Sequence, residues 1–214
     1  MDQYQSKREK MVREQIQARG IQHPAVLNAM SEVPRHLFVP EEYRWDAYAD
    51  RPLPIGLQQT ISQPYIVALM TVLIDPQTDD VVLEVGSGSG YQAAILSRLV
   101  HQVHSIDQFS ELTGAAQAVT QQLHMHNIHY HLGDGSQGLL KYAPFDAILV
   151  TAAGPVVPQP LLDQLKIGGR LVLPVGERHM QRLERWLRVD QDNYEHEDHG
   201  GVNFVPLTGK FGWD

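Results

Sequence analysis

Short apolar runs rich in β-branched residues recur after residue 80, and polar or amphipathic stretches separate them. Such runs predict strands that are buried on both faces of a parallel sheet. The predicted strands are 81–86, 103–107, 128–132, 145–151 and 170–174. Because helices and loops alternate with them, the pattern predicts a doubly wound, Rossmann-like α/β sheet with right-handed crossovers. Two further runs, 183–189 and 202–207, predict a closing hairpin with one antiparallel strand, joined by an exposed polar turn over 190–201.

The segment before residue 80 has a different pattern, in which helical periodicity alternates with proline-rich stretches. Ser6 and Glu9 have the capping-box spacing at the start of a helix predicted over 7–19, which Gly20 would end. Further elements are predicted in this order: a helix over 24–30, an extended connection over 33–40, a loop over 50–62 and a helix over 65–74. These elements do not belong to the sheet, and together they are long enough to form an N-terminal cap over its ligand-binding site.

A glycine-rich turn follows the first predicted strand, and its glycines are Gly86, Gly88 and Gly90. A helix predicted over 91–99 opens directly from it, so strand, turn and helix form the nucleotide-binding corner of a doubly wound sheet. Glycine lets the backbone turn sharply and approach a ligand. The alternative is a tight turn that binds no ligand.

The spacing within the turn bears on which nucleotide it would bind. The dinucleotide fingerprint G-x-G-x-x-G/A requires Gly or Ala at its last position. Counted from Gly86, this position is Tyr91 and the fingerprint fails. Counted from Gly88, it is Ala93 and the fingerprint fits, but it then starts two residues later than the end of the strand suggests. A dinucleotide is therefore disfavoured and not excluded, and the Gly-Lys-Ser/Thr ending of a phosphate-binding loop is missing. The full pattern E-x-G-x-G-x-G, which starts at Glu84, resembles the first motif of S-adenosylmethionine-dependent methyltransferases.

Asp107 ends the second predicted strand and adds to the case for a nucleoside ligand. A carboxylate at this position of the fold can accept hydrogen bonds from ribose hydroxyls. The alternative is that Asp107 caps the helix predicted to start near Ser110. With the glycine turn upstream, we favour the ribose role.

Composition narrows the class of protein. The chain has 214 residues, 43% of them hydrophobic, with a net charge of −8 and no cysteine. This charge argues against nucleic-acid binding and against a polybasic membrane surface. Without cysteine there is no disulfide framework, no thiolate zinc site and no cysteine nucleophile. No apolar run approaches the roughly 20 residues of a membrane span, and the polar N-terminus lacks a signal core, so we expect a cytoplasmic protein.

Histidine is frequent, with 11 residues in the chain, and four of them cluster between positions 124 and 131. Neutral imidazole is a good metal ligand. However, neither cysteine nor the H-E-x-x-H spacing accompanies the cluster. We therefore expect a polar loop and strand edge here, and no metal site.

A second motif lies in the predicted loop, where Leu53-Pro54-Ile55-Gly56 precedes Thr60-Ile61-Ser62-Gln63-Pro64. This segment closely resembles the hallmark of protein-L-isoaspartate O-methyltransferases. Stretches at 33–40, 47–48, 133–135, 144–153, 168–176 and 204–207 resemble the same family in the same order, so the resemblance covers about 7–208. It implies a single methyltransferase domain over 1–214, in which 1–79 form the cap and substrate-loop region and 80–214 the cofactor-binding sheet.

The resemblance also implies a reaction and its cofactor, S-adenosyl-L-methionine. The substrate would be a protein or peptide that carries an isoaspartyl residue, whose free carboxylate is methylated. The ester would then collapse to a succinimide that reopens partly to normal aspartate, which is a repair step. A carboxylate is already ionised at pH 7, so the reaction needs alignment and hydrogen-bond donors and no strong base.

The resemblance places the active-site hydroxyl at Ser62, and Thr60 would share its face of an extended backbone. Alternatively, Ser62 caps the helix that starts at Pro64. Asp134 would accept a hydrogen bond from the adenine amino group. The full set of predicted cofactor-binding residues is Glu84, Gly86, Ser87, Gly88, Gly90, Asp107, Asp134, Gly135 and Thr151.

Four positions depart from the family pattern, and two other functions stay open beside the one that the resemblance implies. Leu57 replaces a common His or Gln, Gln58 a common Gly, Ser136 a common Trp and Asp107 a more usual Glu. One alternative is a methyltransferase with another acceptor, although the N-P-P-[YF] motif of base-modifying enzymes is missing at 151–155. The other is a cofactor-binding module that has lost turnover. The sequence does not indicate an oligomeric state.

Overall fold

The computed structural model describes residues 3–213, and a seven-stranded sheet forms its centre. The strands are β1 (Leu53–Gly56), β2 (Gln59–Ile61), β3 (Val81–Val85), β4 (Gln102–Asp107), β5 (Ile128–Leu132), β6 (Phe145–Val150), β7 (Leu165–Glu177), β8 (Met180–Arg188) and β9 (Tyr194–Val202). The large sheet has the order β5-β4-β3-β6-β7-β8-β9. Strands β3 to β7 are parallel, and β8 is antiparallel to both of its neighbours. The predicted mostly parallel sheet with a C-terminal antiparallel strand is confirmed.

Helices cover both faces of the sheet. They are α1 (Gln5–Met11), α2 (Pro24–Glu32), α3 (Pro64–Leu73), α4 (Tyr91–Leu96), α5 (Ser110–Gln122) and α6 (Gln159–Asp163). α1 continues through a π turn and a 3-10 turn up to Gly20, whose φ of +97° ends it as predicted. None of the helices in residues 3–213 has the length and apolar character of a membrane span.

The apolar core lies on both sides of β3 and β6, as expected for strands with continuous hydrophobic runs. Val82 faces one core cluster and Leu83 the other, because neighbouring side chains of a strand point to opposite faces. The first cluster also contains Met11 and Met30 from the N-terminal helices, packed with Tyr91 of α4. The N-terminal region thus packs directly onto the sheet, next to the glycine turn.

Four sequence predictions about local structure are wrong, and the first is the extended connection over 33–40, in which Arg35–Phe38 form a 3-10 helix. Tyr4, and not Ser6, is the N-cap of the first helix, and no side chain caps it. The predicted loop 50–62 contains the antiparallel hairpin of β1 and β2. The last strand is β9, which lies almost entirely in the segment predicted as an exposed turn. Of the predicted strand 202–207, only Val202 belongs to β9, and Pro206 forms an isolated bridge with Ala153. β9 is a polar edge strand, and such edges resist association with other chains.

Candidate active site

The glycine turn adopts a backbone that requires glycine at three positions. Gly86, Gly88 and Gly90 have φ angles of +95°, +49° and +83°. A Cβ at Gly86 would overlap Thr151 Oγ1, and one at Gly90 would lie 2.8 Å from the Ala116 Cβ. At Gly88 a Cβ would meet only Ile55 Cδ1, at 3.6 Å. The turn is therefore packed tightly at its two ends and has space at Gly88.

Asp107 holds the glycine turn and the start of α5 together. Its Oδ2 accepts a hydrogen bond from the Gly88 N–H at 2.9 Å, and its Oδ1 accepts one from Phe109 N–H at 3.0 Å. Asp107 also lines a cavity of about 130 Å³ together with Gly86, Gly135 and Thr208. Phe109 is the N-cap of α5 and no side chain caps that helix, so the alternative role of Asp107 as a helix cap is wrong, whereas its place on the cavity wall leaves it available to a ligand. The ribose contact stays a prediction.

Glu84 is the buried end of a short polar chain beneath the turn. Its side chain is 0% exposed. Its Oε2 accepts a hydrogen bond from Ser105 Oγ, which in turn lies 2.6 Å from Ser87 Oγ. Its Oε1 has no hydrogen-bond partner among the residues that the structure describes. Burial raises the pKa of Glu84 to about 8.

Thr151 joins the end of β6 to the glycine turn. Its hydroxyl donates to the carbonyls of Gly86 at 2.7 Å and Val85 at 3.2 Å. Thr151 and Gly86 line a cavity of about 30 Å³ that also contains Glu84, Ser87 and Gly88. The end of β6 thereby positions both the turn and the small cavity above Glu84.

Thr60 and Ser62 stand where two cavities meet. Both line the small cavity above Glu84, and both line a large cleft of about 880 Å³ on the other side. Gln63, and not Ser62, is the N-cap of α3, and no side chain caps that helix. The Ser62 hydroxyl makes no hydrogen bond within residues 3–213, so it can donate to a ligand.

Arg35 fixes the main chain at Ser62, and sequence reasoning missed this residue. Its Nη2 donates to the Ser62 carbonyl at 2.7 Å, and its Nε donates to the Ala47 carbonyl at 2.7 Å. The guanidinium lies 4.9 Å from the Tyr91 ring centre, and Nη1 has no partner in the described part of the chain. Burial lowers the pKa of Arg35 to about 10, so it remains charged at pH 7.

Asp134 is not among the residues that line these cavities, although Gly135 beside it is. Its Oδ1 accepts from the backbone and the hydroxyl of Ser136, and its Oδ2 accepts from Gln137 Nε2 and Lys210 N–H. Burial pushes its pKa up, but the hydrogen bonds from Ser136, Lys210 and Gln137 outweigh this and hold the pKa below its usual value. Phe211 N–H donates to Ser136 Oγ at 3.0 Å. Asp134 and Ser136 therefore bind the backbone of the C-terminal segment. The adenine contact of Asp134 remains a prediction.

The histidines clustered between positions 124 and 131, and His104 beside them, lie outside these cavities. His104 Nδ1 is 2.9 Å from His131 Nε2, and the His129 ring stacks on His104 at 5.3 Å. Burial lowers the pKa of His104 to about 4, with smaller contributions from His131 and His129. Within residues 3–213 no group of three or more potential ligands is arranged to hold a metal ion.

The parallel sheet, the glycine turn and the carboxylate at the end of β4 define the class of S-adenosylmethionine-dependent methyltransferases with a Rossmann-like fold. The family model of protein-L-isoaspartate(D-aspartate) O-methyltransferase matches residues 6–212. The chain belongs to this family.

Relatives and solved structures agree with that assignment. A protein-L-isoaspartate O-methyltransferase of Syntrophus aciditrophicus is 52% identical over 100% of this chain and 99% of its own length. One from Methanoregula boonei is 54% identical over 97% of this chain and 95% of its own length. A solved protein-L-isoaspartate O-methyltransferase has a TM-score of 0.84 at 27% identity, covering 96% of this chain and 67% of its own.

A second solved structure has a similar fold. A beta-aspartate methyltransferase from Plasmodium falciparum, in complex with S-adenosyl-L-homocysteine, has a TM-score of 0.80 at 24% identity. The match covers 94% of this chain and 98% of that one. The predicted family, fold and enzyme class are therefore confirmed, and the predicted cofactor is the one that this enzyme class uses.

Proposed function

We propose that this enzyme methylates the free carboxylate of isoaspartyl residues in damaged proteins and peptides, and that Ser62 and Thr60 hold this carboxylate. One observation carries the proposal. The hydroxyl-bearing residues Thr60, Ser62 and Thr151 line both the small cavity above Glu84 and the large cleft. A group in the cleft can therefore meet a group in the small cavity across these hydroxyls. The cytoplasmic location expected from the sequence belongs to this proposal, and cell fractionation checks it.

The residues around Glu84 fit the cofactor. S-adenosylmethionine, when bound, supplies a methyl group on a positively charged sulfur, and it also carries an amino group. Glu84 lines the small cavity, and its buried Oε1 has no partner among the described residues, so a cationic ligand beside it would favour the ionised form of this carboxyl. The glycine turn keeps side chains out of the same space, and Asp107 lines the adjoining cavity.

The acceptor side needs residues that bind and orient, because the attacking carboxylate is already charged at pH 7. Hydrogen bonds from the Ser62 and Thr60 hydroxyls would fix one carboxylate oxygen and direct the other toward the methyl group. Arg35 fixes the Ser62 main chain through the 2.7 Å bond to its carbonyl. The rate enhancement would then come from correct alignment of the reacting atoms and not from a general base.

The structure offers little support for a cofactor-binding module without turnover. Leu57 and Gln58 form the turn between β1 and β2, and Ser136 accepts a hydrogen bond from Phe211 in the C-terminal segment. None of these three residues lines the cavities described above. Their departure from the family pattern therefore leaves the surroundings of Ser62 and Glu84 intact.

The test uses labelled S-adenosylmethionine and two peptides that differ only in an isoaspartyl or normal aspartyl residue. We expect label in the isoaspartyl peptide alone. A hydrogen bond to a charged group contributes about 1.5–3 kcal/mol, so Ser62→Ala should lower kcat/KM roughly 10- to 150-fold. Cofactor affinity should stay near the wild-type value, and Ser97→Ala, at a serine outside these cavities, serves as the control.

Four results would contradict the proposal. Equal labelling of the two peptides, or no labelling of either, would mean that the isoaspartyl carboxylate is not the specific acceptor. Wild-type kinetics of Ser62→Ala would mean that Ser62 does not bind the acceptor. A large loss of cofactor affinity in this variant would mean that Ser62 binds the cofactor instead.

A further inference from the structure

The large cleft has a charge opposite to that of the whole molecule. The chain has a net charge of −8. Among the described residues that line the cleft there is no Asp or Glu, while Arg178 and His179 both lie on its wall. A cleft lined by one sign of charge attracts ligands of the opposite sign. Anionic groups are therefore favoured in this cleft, although the rest of the surface repels them.

Arg178 is not neutralised within the residues that the structure describes. Its guanidinium lies 5.0 Å from the Trp213 ring centre and forms no ion pair there. The next arginines along β8 are paired, since Arg182 bonds to Asp198 at 2.8 Å and Arg185 lies 3.6 Å from Glu197. The exposed guanidinium of Arg178 is thus available to a ligand and is supported by an aromatic ring.

The turn that carries Arg178 is fixed to the facing segment of the cleft. The Gln181 side chain, 1% exposed, donates from Nε2 to the carbonyls of Glu177 at 2.8 Å and Arg178 at 2.9 Å. Its Oε1 accepts from Phe204 N–H at 2.9 Å. One buried amide thereby ties the β7–β8 turn to the segment after β9. Arg178 is held at a defined place on the cleft wall.

The cleft is larger than one acceptor residue. Its volume of about 880 Å³ lies near the upper end of the usual range for small-ligand sites, about 300–1,000 Å³. Ser62 follows the β1–β2 hairpin, whereas Arg178 lies in the β7–β8 turn, so they belong to different walls. An isoaspartyl residue at Ser62 would leave space for the neighbouring residues of the same peptide to reach Arg178.

We infer that Arg178 is a specificity-determining residue, which binds an anionic side chain next to the isoaspartyl residue in the substrate. This inference rests on the proposed function and deepens it. The preferred substrate class is then a peptide or protein segment with Asp or Glu beside the damaged position. A lysine at that position would place two cations in the same part of the cleft and would weaken binding.

The experiment uses isoaspartyl peptides that differ at one flanking position, which carries Glu, Gln or Lys on either side of the isoaspartyl residue. For the wild type we expect kcat/KM to be about two- to fivefold higher for Glu than for Gln, the range for an exposed ion pair. Arg178→Gln should abolish this preference, Arg178→Lys should retain it, and Arg178→Glu should reverse it toward the Lys peptide. Arg182→Gln, in the same hairpin but paired with Asp198, is the matched control and should retain it.

A second readout separates this inference from the proposed function. Calorimetry of the same peptides, with S-adenosylhomocysteine supplied, measures their affinity without turnover. Equal affinities and equal kcat/KM for Glu and Gln peptides would overturn the Arg178 subsite while isoaspartyl methylation stands. An equal loss for all peptides in Arg178→Gln would also overturn it, because Arg178 would then bind the acceptor carboxylate. Methylation of none of the peptides would instead refute the proposed function.

Discussion

Replacing Glu84 by Gln tests the electrostatics beneath the glycine turn. Glu84 is fully buried, accepts one hydrogen bond from Ser105 and has an unpartnered second oxygen. Gln has nearly the same shape and can still accept that bond, but it cannot ionise. The substitution therefore removes a titration while it leaves the packing in place.

The magnitude follows from the pKa of Glu84, which burial raises from 4.5 to about 8. The folded state keeps the proton over this range, whereas the unfolded state has lost it. The free energy of unfolding of the wild type therefore falls as pH rises from 4.5 to 8, by about 1.4 kcal/mol per pH unit. The stability that the neutral carboxyl contributes is fully present below pH 4.5 and is lost, on the order of 5 kcal/mol, once pH passes 8.

Urea unfolding of wild type and Glu84→Gln between pH 5 and pH 9, without cofactor, measures this effect. We expect the free energy of unfolding of Glu84→Gln, relative to that of the wild type, to increase with pH and to level off above pH 8. Glu41→Gln, at an exposed glutamate, should follow the wild-type curve. If the wild-type and Glu84→Gln curves run parallel over the whole range, Glu84 is ionised in the folded protein and the reasoning fails.

Three further predictions concern other parts of the molecule. Gln58→Gly should raise Tm by about 2–4 °C, because Gln58 has a φ of +59° in the hairpin turn and glycine relieves about 1 kcal/mol of strain; an unchanged or lower Tm in calorimetry would contradict this. Gly88→Val should abolish S-adenosylmethionine binding in titration calorimetry while the chain stays folded, since a side chain at φ +49° would enter the space above the turn; wild-type affinity would refute the assigned cofactor site. The low pKa of His104, about 4, predicts that stability is fully present above pH 6.5 and is lost as pH falls from 6.5 to 4, and that His104→Gln reduces this loss in urea unfolding; identical acid profiles would contradict it.

The sheet could be predicted from the sequence where strands are buried on both faces. The strands β3, β4 and β6 lie within one residue of their predicted bounds, because their buried runs leave few alternatives. The edge strand β5 also matches its predicted bounds, although none of its residues is buried. β9 could not be predicted in the same way. It is a polar edge strand with exposed side chains, so burial leaves no pattern in its sequence.

The β1–β2 hairpin was missed for a different reason. Its turn consists of Leu57 and Gln58, both with positive φ, where hairpin turns usually have Asn-Gly or Asp-Gly. Pro54 and Gly56 within the first strand also suggested a loop. The hairpin forms because tertiary contacts override these local preferences, and Ile55 then packs next to the glycine turn.

In the candidate site, too, local motifs could be predicted from the sequence and non-local contacts could not. Local motifs indicated the glycine turn, Asp107 and Ser62, which line the cavities as a connected set. Ser105 gave a weak signal as a serine inside a buried strand. Arg35 and Gln181 gave none, because their partners are distant in sequence: Arg35 bonds to carbonyls 12 and 27 residues away, and Gln181 to Phe204, 23 residues away.

These non-local contacts explain how a reaction without a general base can depend on the fold. An ionised carboxylate and a sulfonium methyl group need correct distance and direction, and an error of about 1 Å can reduce the rate about 100-fold. Arg35, a buried cation bonded to the Ser62 carbonyl, fixes one wall of the cleft. Gln181 fixes the other wall through three hydrogen bonds. We therefore expect residues that do not touch the substrate to affect the rate, because they set the position of the residues proposed to bind it.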